Sequence, residues 1–343
     1  MTGQPRVLVC ADSLHGGLGT IASAHVEALR AAGVTVRVLA GPPAHSGAEP
    51  WSLPPRTSAL AAMVRAGREV RAAVRAFRPD AVHCHGARSG LAAATGLVDL
   101  GLSARVTVHT ALPGSPTDAL RWGPRGWSFL ALPLVLRHPS AVAPTRLPGW
   151  RFNPVLSPAA VPGGPAATGE PASELLWIGR LDAPKRLDQF LDLADQLAER
   201  GLISAVRVVG TGSQQGLLDE YARRGRAQLA VEGFLDDPWA ETSGSEIVAI
   251  LSDSEAVPLV LQEAMARGHL IVASRLPGIQ WLAQESVVYW DGASSTAQRI
   301  AGLAPADRDH LRAAACGTFA RYSQRCPGVA ALVEQTLSLA VSR

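Results

Sequence analysis

The chain has 343 residues, of which 47% are hydrophobic and 5% aromatic, and its formal net charge at pH 7 is +3. This length suits two domains of ordinary size, each with its own core. So small a net charge argues against a nucleic-acid-binding protein, which normally carries a concentrated basic face.

The cysteines and the apolar runs indicate a cytoplasmic protein. None of Cys10, Cys84, Cys316 and Cys326 forms a CxxC pair, so we expect reduced thiols. Residues 1–5 are polar and lead into an apolar strand, which predicts that there is no signal peptide. The longest apolar run, residues 129–136, is too short to cross a bilayer.

The first part of the chain alternates predicted strands with predicted helices, which is typical of a parallel α/β domain. A glycine turn is predicted at residues 15–20, between the first strand and the first helix. The predicted strands are 6–10, 34–39, 81–85 and 105–109, and the predicted helices are 21–32 and 58–77.

A stretch rich in proline and glycine, residues 157–173, predicts a linker, and a second α/β series follows it. Its predicted strands are 174–178, 205–209, 228–232, 246–251 and 270–273, and its predicted helices are 187–200 and 214–224. We therefore expect two doubly wound Rossmann-like domains, 1–160 and 161–327, with a helix at about 328–343 packing back on the first. A ligand is expected in a cleft at the carboxyl ends of the strands.

Two glutamates of the second domain, Glu255 and Glu263, are separated by seven residues. Glu255 follows a predicted strand, and Glu263 lies near the start of a predicted helix whose free N–H groups could bind an anion. A carboxylate there could accept hydrogen bonds from both hydroxyls of a ribose. The alternative is that these acidic residues only complement the helix dipole.

Lys185 is the only lysine in the chain, and it follows a predicted strand and a Gly179-Arg180 turn. A lysine supplies a compact point charge, whereas an arginine supplies a planar fork of donors. The pattern suggests a phosphate site, and the alternative is a lysine on an ordinary surface loop.

Seven short segments, in order along most of the chain, resemble those of retaining GT-B glycosyltransferases of the group-1 family. Those of the first domain are Gly16-Gly17, Pro-Asp-Ala-Val-His-Cys-His-Gly at 79–86 and Val-Thr-Val-His at 106–109. Those of the second domain are Gly-Arg-Leu at 179–181 with Lys185, Val-Gly-Thr-Gly at 209–212, Gly-Phe at 233–234, and the glutamate pair. The resemblance implies two doubly wound domains that face a central cleft.

The resemblance also implies a role for each matching residue. Arg180 and Lys185 would stabilise the leaving diphosphate, while Glu255 and His109 would lie near the donor sugar. The residues that would bind the donor are Gly16, Gly17, Gly210, Thr211, Phe234, Leu259, Val260 and Glu263. Two fixed cations would replace a metal, so no metal and no cofactor are expected. The transfer would retain the anomeric configuration, with the leaving phosphate oxygen taking the acceptor's proton.

His83 and His85 lie on the same face of their predicted strand, because side chains alternate along a strand. A zinc site needs further ligands, and none is spaced nearby in the sequence. Packed structural histidines are favoured over contacts in the cleft.

Two further features concern the acceptor and a membrane. The helix between Arg65 and Arg78 carries arginines mostly along one side, which predicts a solvated basic face or, alternatively, a peripheral membrane contact. Trp122 and Trp127 lie in a loop-rich stretch of the first domain, the domain to which acceptors bind in this fold, and they are the candidate acceptor residues.

The chain departs from the family where Ala256 replaces the usual glycine and Val257 the usual aromatic residue. We expect a monomer or homodimer that transfers a hexose or amino-hexose from a UDP- or GDP-sugar to a hydroxyl of a small molecule, natural product or glycolipid. The alternatives are a GT-B sugar-nucleotide epimerase or hydrolase, or a non-catalytic sugar-nucleotide-binding protein, which Ala256 favours.

Overall fold

The computed structural model describes residues 4–41, 48–53, 60–98, 100, 102, 104–109, 139–142, 147–160, 173–326 and 328–341. The chain divides into two compact units. Unit 1 combines Met1–Pro158 with Cys326–Arg343, and unit 2 is Ala159–Arg325. In the described part of the chain, no helix is long and apolar enough to cross a membrane.

Unit 1 contains a parallel sheet of seven strands in the order β3-β2-β1-β4-β5-β6-β7. The strands are β1 (Arg6–Ala11), β2 (Thr35–Ala40), β3 (Glu49–Pro50), β4 (Ala81–His85), β5 (Ala104–Val108), β6 (Ser140–Ala141) and β7 (Arg151–Phe152). The described helices of this unit are α1 (Gly16–Ala31), α2 (Leu60–Phe77), α3 (Ala87–Leu97) and α10 (Gly328–Val341).

Unit 2 contains a parallel sheet of six strands in the order β10-β9-β8-β11-β12-β13. The strands are β8 (Glu174–Ile178), β9 (Ala205–Val209), β10 (Gln228–Gly233), β11 (Ile247–Ile250), β12 (Leu270–Ala273) and β13 (Val288–Tyr289). The helices are α4 (Leu187–Glu199), α5 (Gln215–Arg224), α6 (Leu259–Ala266), α7 (Pro277–Ala283), α8 (Ala293–Ala301) and α9 (Pro305–Arg325).

Alternate residues of the unit-1 strands pack against different helices, so the sheet is covered on both faces, as parallel sheets normally are. Leu8 and Cys10 of β1 belong to a core cluster that includes Val70 of α2. Val7 and Val9 of the same strand belong to a second cluster with residues of α1 and α10. The strand period of two therefore assigns side chains of β4 to one face or the other in the same way.

The start of α1 corrects one sequence-based expectation. A glycine turn at residues 15–20 followed by a helix from residue 21 was expected, but the helix already begins at Gly16. Gly19 is the glycine that the packing requires, because a Cβ atom there would collide with the backbone carbonyl of Leu14. The first turn of α1 thus packs directly on the chain that leads into it.

The basic side of α2 is largely exposed. Arg65, Arg68 and Arg75 are exposed, and Arg71 donates a hydrogen bond of 2.7 Å to the carbonyl of Val98 at the end of α3. A membrane contact of this face stays a prediction.

Candidate functional site

The switch point of the unit-2 sheet lies between β8 and β11. The chain leaves β8 toward β9 on one side, whereas β11 is followed by β12 on the other side. Ligands of doubly wound sheets bind beyond the carboxyl ends of the two strands at such a point. Lys185 follows β8 and Glu255 follows β11, so the sheet brings both to this edge.

Glycines allow the loops after β8 and β9 to approach each other backbone to backbone. Leu181 N–H donates to the Thr211 carbonyl at 3.0 Å. A Cβ atom at Gly210, whose φ is +140°, would collide with the carbonyl oxygen of Gly179, and one at Gly212 would collide with Leu181. This contact positions the Gly-Arg-Leu segment and leaves Thr211 exposed.

Lys185 and Glu255 form an ion pair across the switch point. Lys185 ends a short 3₁₀ helix, and the backbone N–H of Asp253 donates to the carbonyl of Pro184 in that helix at 2.9 Å. Ser252 Oγ donates a second hydrogen bond, of 3.0 Å, to Glu255. The lysine side chain is 30% exposed and the glutamate side chain 14%, so a ligand can reach the charge of the lysine.

Two arginines at this edge also have carboxylate partners. Arg180 lies 2.6 Å from Asp182, and its side chain is 61% exposed. Arg186 adopts a left-handed backbone conformation, and its hydrogen bonds to Asp188 and then Asp253 raise its pKa. Exposed ion pairs contribute about 0–1 kcal/mol. An anion could therefore replace these carboxylates at small cost.

Glu263 is buried on the second turn of α6, where Trp239 Nε1–H donates to its Oε2 atom at 2.9 Å. The guanidinium of Arg267 lies over the Trp239 ring, 4.9 Å from its centre. Leu259 and Val260, on the first turn of α6, are half-buried. Trp239 belongs to none of the sequence motifs. Its sequence signal for a role in the site is a large donor-bearing ring in a loop of the same domain.

Two further residues of the predicted site differ in exposure, since Phe234 is exposed and Ala256 is buried. Phe234 follows β10 and is 75% exposed, a position from which an aromatic ring could stack on a flat ligand. Ala256 is 2% exposed, and its backbone packs so closely on Gly278 that a Cβ atom there would collide with the Ala256 carbonyl. The methyl group of Ala256 is therefore buried.

The unit-1 sheet has its own switch point between β1 and β4, and Asp12 bridges it. Its Oδ1 atom accepts a hydrogen bond of 2.7 Å from Ser89 N–H in the first turn of α3, and Arg88 Nε lies 3.3 Å from Oδ2. Gly86, with φ of +114°, leaves room for this carboxylate. Gly16 and Gly17 are exposed at the start of α1, which no side chain caps, so this helix end can donate N–H groups to an anion. Sequence reasoning missed the bridging role of Asp12.

Four histidines of unit 1 are joined by hydrogen bonds or ring contacts. His25 Nδ1 lies 2.9 Å from His85 Nε2, and His85 Nδ1 lies 2.9 Å from His109 Nε2. His83 stacks on His85 with ring centres 4.7 Å apart. His25, His83 and His85 are fully buried, whereas His109, directly after β5, is half-buried.

Burial keeps these imidazoles neutral. It lowers the pKa of His25 to about 4 and that of His109 to about 3, and it lowers the pKa values of His83 and His85 well below 6.5. A neutral imidazole has one N–H donor and one nitrogen acceptor, so these rings can form directed chains of hydrogen bonds.

No further metal ligand is spaced near His83 and His85 in the sequence, but the fold brings one to them. His25, distant in sequence, completes a group whose ligand atoms lie within 4.8 Å of one another. Among the described residues this group contains no carboxylate or thiolate. Both ring nitrogens of each of the three histidines already have hydrogen-bond partners. The arrangement fits a hydrogen-bond network better than a cation site.

The candidate acceptor residues Trp122 and Trp127 lie outside the described residues.

Comparison with protein families matches both parts of the chain. Residues 16–146 match the model of the glycosyl transferase 4-like domain, and residues 172–305 match that of glycosyl transferases group 1. Among curated proteins, WcaL of Escherichia coli K12, which carries the name of a colanic acid biosynthesis glycosyltransferase, is 27% identical over 153 residues. That match covers 40% of this chain and 37% of WcaL.

Solved structures share the fold over nearly the whole chain. Sucrose-phosphate synthase from Thermosynechococcus elongatus is similar with a TM-score of 0.72 and 18% identity, covering 99% of this chain and 98% of that one. HepE of Anabaena in complex with UDP-glucose is similar with a TM-score of 0.71 and 15% identity, covering 98% and 100%. The two parallel sheets with flanking helices are those of GT-B glycosyltransferase structures.

Proposed function

We propose that the chain moves a hexose or amino-hexose from a UDP-sugar to an acceptor hydroxyl. The proposal proceeds from its glycosyltransferase 4-like domain and the group 1 glycosyltransferase domain that follows it. The transfer retains the anomeric configuration and needs no metal. HepE, whose fold this chain shares, was solved with UDP and with UDP-glucose, which favours uridine over guanosine in the donor.

The observation that carries the proposal is the Lys185–Glu255 ion pair at the switch point of the unit-2 sheet. When the diphosphate of the donor binds, Lys185 Nζ exchanges a carboxylate oxygen for a phosphate oxygen. Glu255 is then available to accept a hydrogen bond from a hydroxyl of the donor sugar. This exchange therefore places Lys185 at the leaving diphosphate and Glu255 at the donor sugar, the two groups joined by the bond that breaks.

The reaction breaks the bond between the anomeric carbon and the phosphate oxygen, and it forms a bond from the acceptor oxygen to the same face of that carbon. The bonding electron pair leaves with the diphosphate, whose oxygen takes the acceptor's proton. Negative charge therefore grows on the diphosphate in the transition state, where preorganised cations are most effective. Lys185 and the exposed Arg180 can supply that charge.

The cationic side chains at this edge support the proposal that no metal is needed. Arg180, Lys185 and Arg186 place three cationic side chains at one edge of the sheet. Charge-assisted hydrogen bonds from such groups to phosphate are the strong class of hydrogen bond. The diphosphate is thereby neutralised without a divalent ion.

The proposal is tested by replacing Lys185 with Met, which keeps the length of the side chain and removes its charge. Loss of one preorganised charge stabiliser should lower kcat by about 10²–10³. Arg224→Gln, which removes an exposed cation paired with Glu220 at the end of α5, is the matched control and should leave kcat unchanged.

Sugar transfer is measured with a panel of UDP-sugars and acceptors, and each donor is also incubated alone. Activity of Lys185→Met within threefold of the unmodified protein would refute the role of the lysine. Freed or epimerised sugar without an acceptor would instead indicate a hydrolase or an epimerase.

A further inference from the structure

A chain of hydrogen bonds runs through the interior of unit 1 and ends at His109. It links Ser140 Oγ to Thr107 Oγ1 at 3.1 Å, and Thr107 Oγ1 to His83 Nε2 at 3.0 Å. His83 Nδ1 lies 2.7 Å from Thr336 Oγ1, which lies 3.2 Å from His25 Nε2. The two contacts from His25 to His85 and from His85 to His109 complete the chain.

The hydroxyl of Thr336 determines the direction of the bonds that lead from it to His109. Thr336 Oγ1 donates its single proton to the carbonyl of Leu332, one turn earlier in α10, at 2.6 Å. Its oxygen can then only accept, and it has two lone pairs. Both neighbouring histidines must therefore donate to it, His25 from Nε2 and His83 from Nδ1.

A neutral imidazole carries only one N–H proton. The bonds to Thr336 therefore also determine the proton positions of the histidines beyond them. With its proton on Nε2, His25 must accept at Nδ1 from the Nε2–H of His85. His85 must in turn accept at Nδ1 from the Nε2–H of His109. His109 then has a bare lone pair on Nδ1, to which no residue of the described ranges donates a hydrogen bond.

We propose that His25, His85 and Thr336 are positioning residues that hold His109 as a neutral imidazole with its proton on Nε2. His109 then offers Nδ1 as a hydrogen-bond acceptor to a bound sugar or acceptor molecule. The ligand group that it recognises must be a donor, such as a hydroxyl, and not a phosphate or carboxylate oxygen. The inference rests on the proposed function for the identity of the ligand but not for the state of the imidazole.

The surroundings of the chain support this arrangement. His25, His83, His85, Thr107 and Thr336 are all fully buried. A buried polar atom without a partner costs about 1–3 kcal/mol. Between Thr336 and His109, reversing one bond would leave two donors or two acceptors facing each other, so this part of the chain keeps one direction.

The state of the imidazoles is measured first, on the unmodified protein without substrate. Long-range ¹H–¹⁵N correlation spectra at about pH 7.5 distinguish the two neutral tautomers of histidine from each other and from the charged form. We expect protons on Nε2 of His25, His85 and His109 and on Nδ1 of His83. A charged His109, a proton on its Nδ1 or a proton on Nε2 of His83 would each overturn the proposal. So would one zinc ion per chain in elemental analysis.

Two variants of His85 with side chains of matched size test the positioning role. In His85→Asn the side-chain oxygen can still accept from His109 Nε2–H near the place of Nδ1, whereas His85→Leu has the same shape and no acceptor. Both variants lose the donor to His25, so they lose stability in similar ways. We expect His85→Asn to keep the His109 tautomer and His85→Leu to populate both tautomers.

Activity separates the role of the imidazole from that of the fold. The kcat of His85→Leu should be about tenfold below that of His85→Asn, the equivalent of one lost hydrogen bond. Equal kcat values for the two variants, both folded and with different tautomers, would refute the positioning role. If the unmodified protein transferred no sugar at all, the proposed function would fail while the tautomer assignments would still stand or fall on the spectra.

Discussion

Acidification should destabilise unit 1 through its buried histidines. His25, His83 and His85 have no exposed surface, and burial lowers the pKa of each of them. Positive charge on His25, Arg105 or His109 would also oppose a proton on His83. The network can therefore take up a proton only at considerable cost.

The magnitude follows from the difference in pKa between the two states. In the unfolded chain a histidine has a pKa of about 6.5, whereas in the folded protein that of His25 is about 4. A lowered pKa in the folded state stabilises the protein fully above about pH 6.5, and this contribution is lost as the pH falls toward 4. At about pH 5.5 this difference costs about 1.4 kcal/mol for His25 and about as much for His109, whose pKa is about 3, and His83 and His85 add to the loss.

The prediction is checked by thermal unfolding between about pH 7.5 and pH 5.5. A loss of about 3 kcal/mol or more should lower Tm by at least about 4 °C in a protein of this size. His25→Gln, which cannot be protonated in this range, should remove about 1.4 kcal/mol of that loss. His310→Gln, at an exposed histidine of α9, is the matched control and should follow the unmodified protein. A Tm that is constant over this range would refute the assignment of neutral, buried histidines.

Three further outcomes are expected from unit 2. Gly210→Ala should destabilise the protein by about 2–3 kcal/mol in urea unfolding, because its Cβ atom would collide with the Gly179 carbonyl, whereas Gly201→Ala, which meets no atom within 4 Å, should cost less. Glu263→Gln should weaken UDP binding in calorimetry more than it lowers kcat. Trp239→Phe, which removes the indole donor to Glu263, should weaken UDP binding to a smaller degree. If Glu263→Gln bound UDP as tightly as the unmodified protein, a ribose contact would be contradicted. EDTA should leave sugar transfer unchanged, and a strict requirement for Mg²⁺ would refute the neutralisation of the diphosphate by side chains.

The sequence predicts the fold well because apolar strands, glycine turns and helical periods are local signals. Most predicted strands lie within a residue or two of the observed ones; Gly210 follows β9 as expected, and Gly233 is the last residue of β10. The two-residue strands β3, β6, β7 and β13 are too short to show a period of two. Their place in the sheet depends on neighbouring strands and not on their own residues.

The candidate site is predictable by position but not by partner. Motif spacing places Lys185 and Glu255 after neighbouring strands, yet it does not reveal that they pair with each other. Nor does it reveal that Trp239 donates to Glu263, since no regular spacing connects a loop residue with a helix residue. The histidine chain is the extreme case, because His83 and Thr336 are separated by 253 positions.

That separation has a consequence for the synthesis of the protein. A ribosome that adds about 5–20 residues per second needs roughly 10–50 seconds to pass from His83 to Thr336. Throughout this interval unit 1 lacks both the hydroxyl that orders its histidines and the helix that covers them. The nascent N-terminal sheet therefore stays partly uncovered until residue 336 has been translated, and chaperones can act on it during that time.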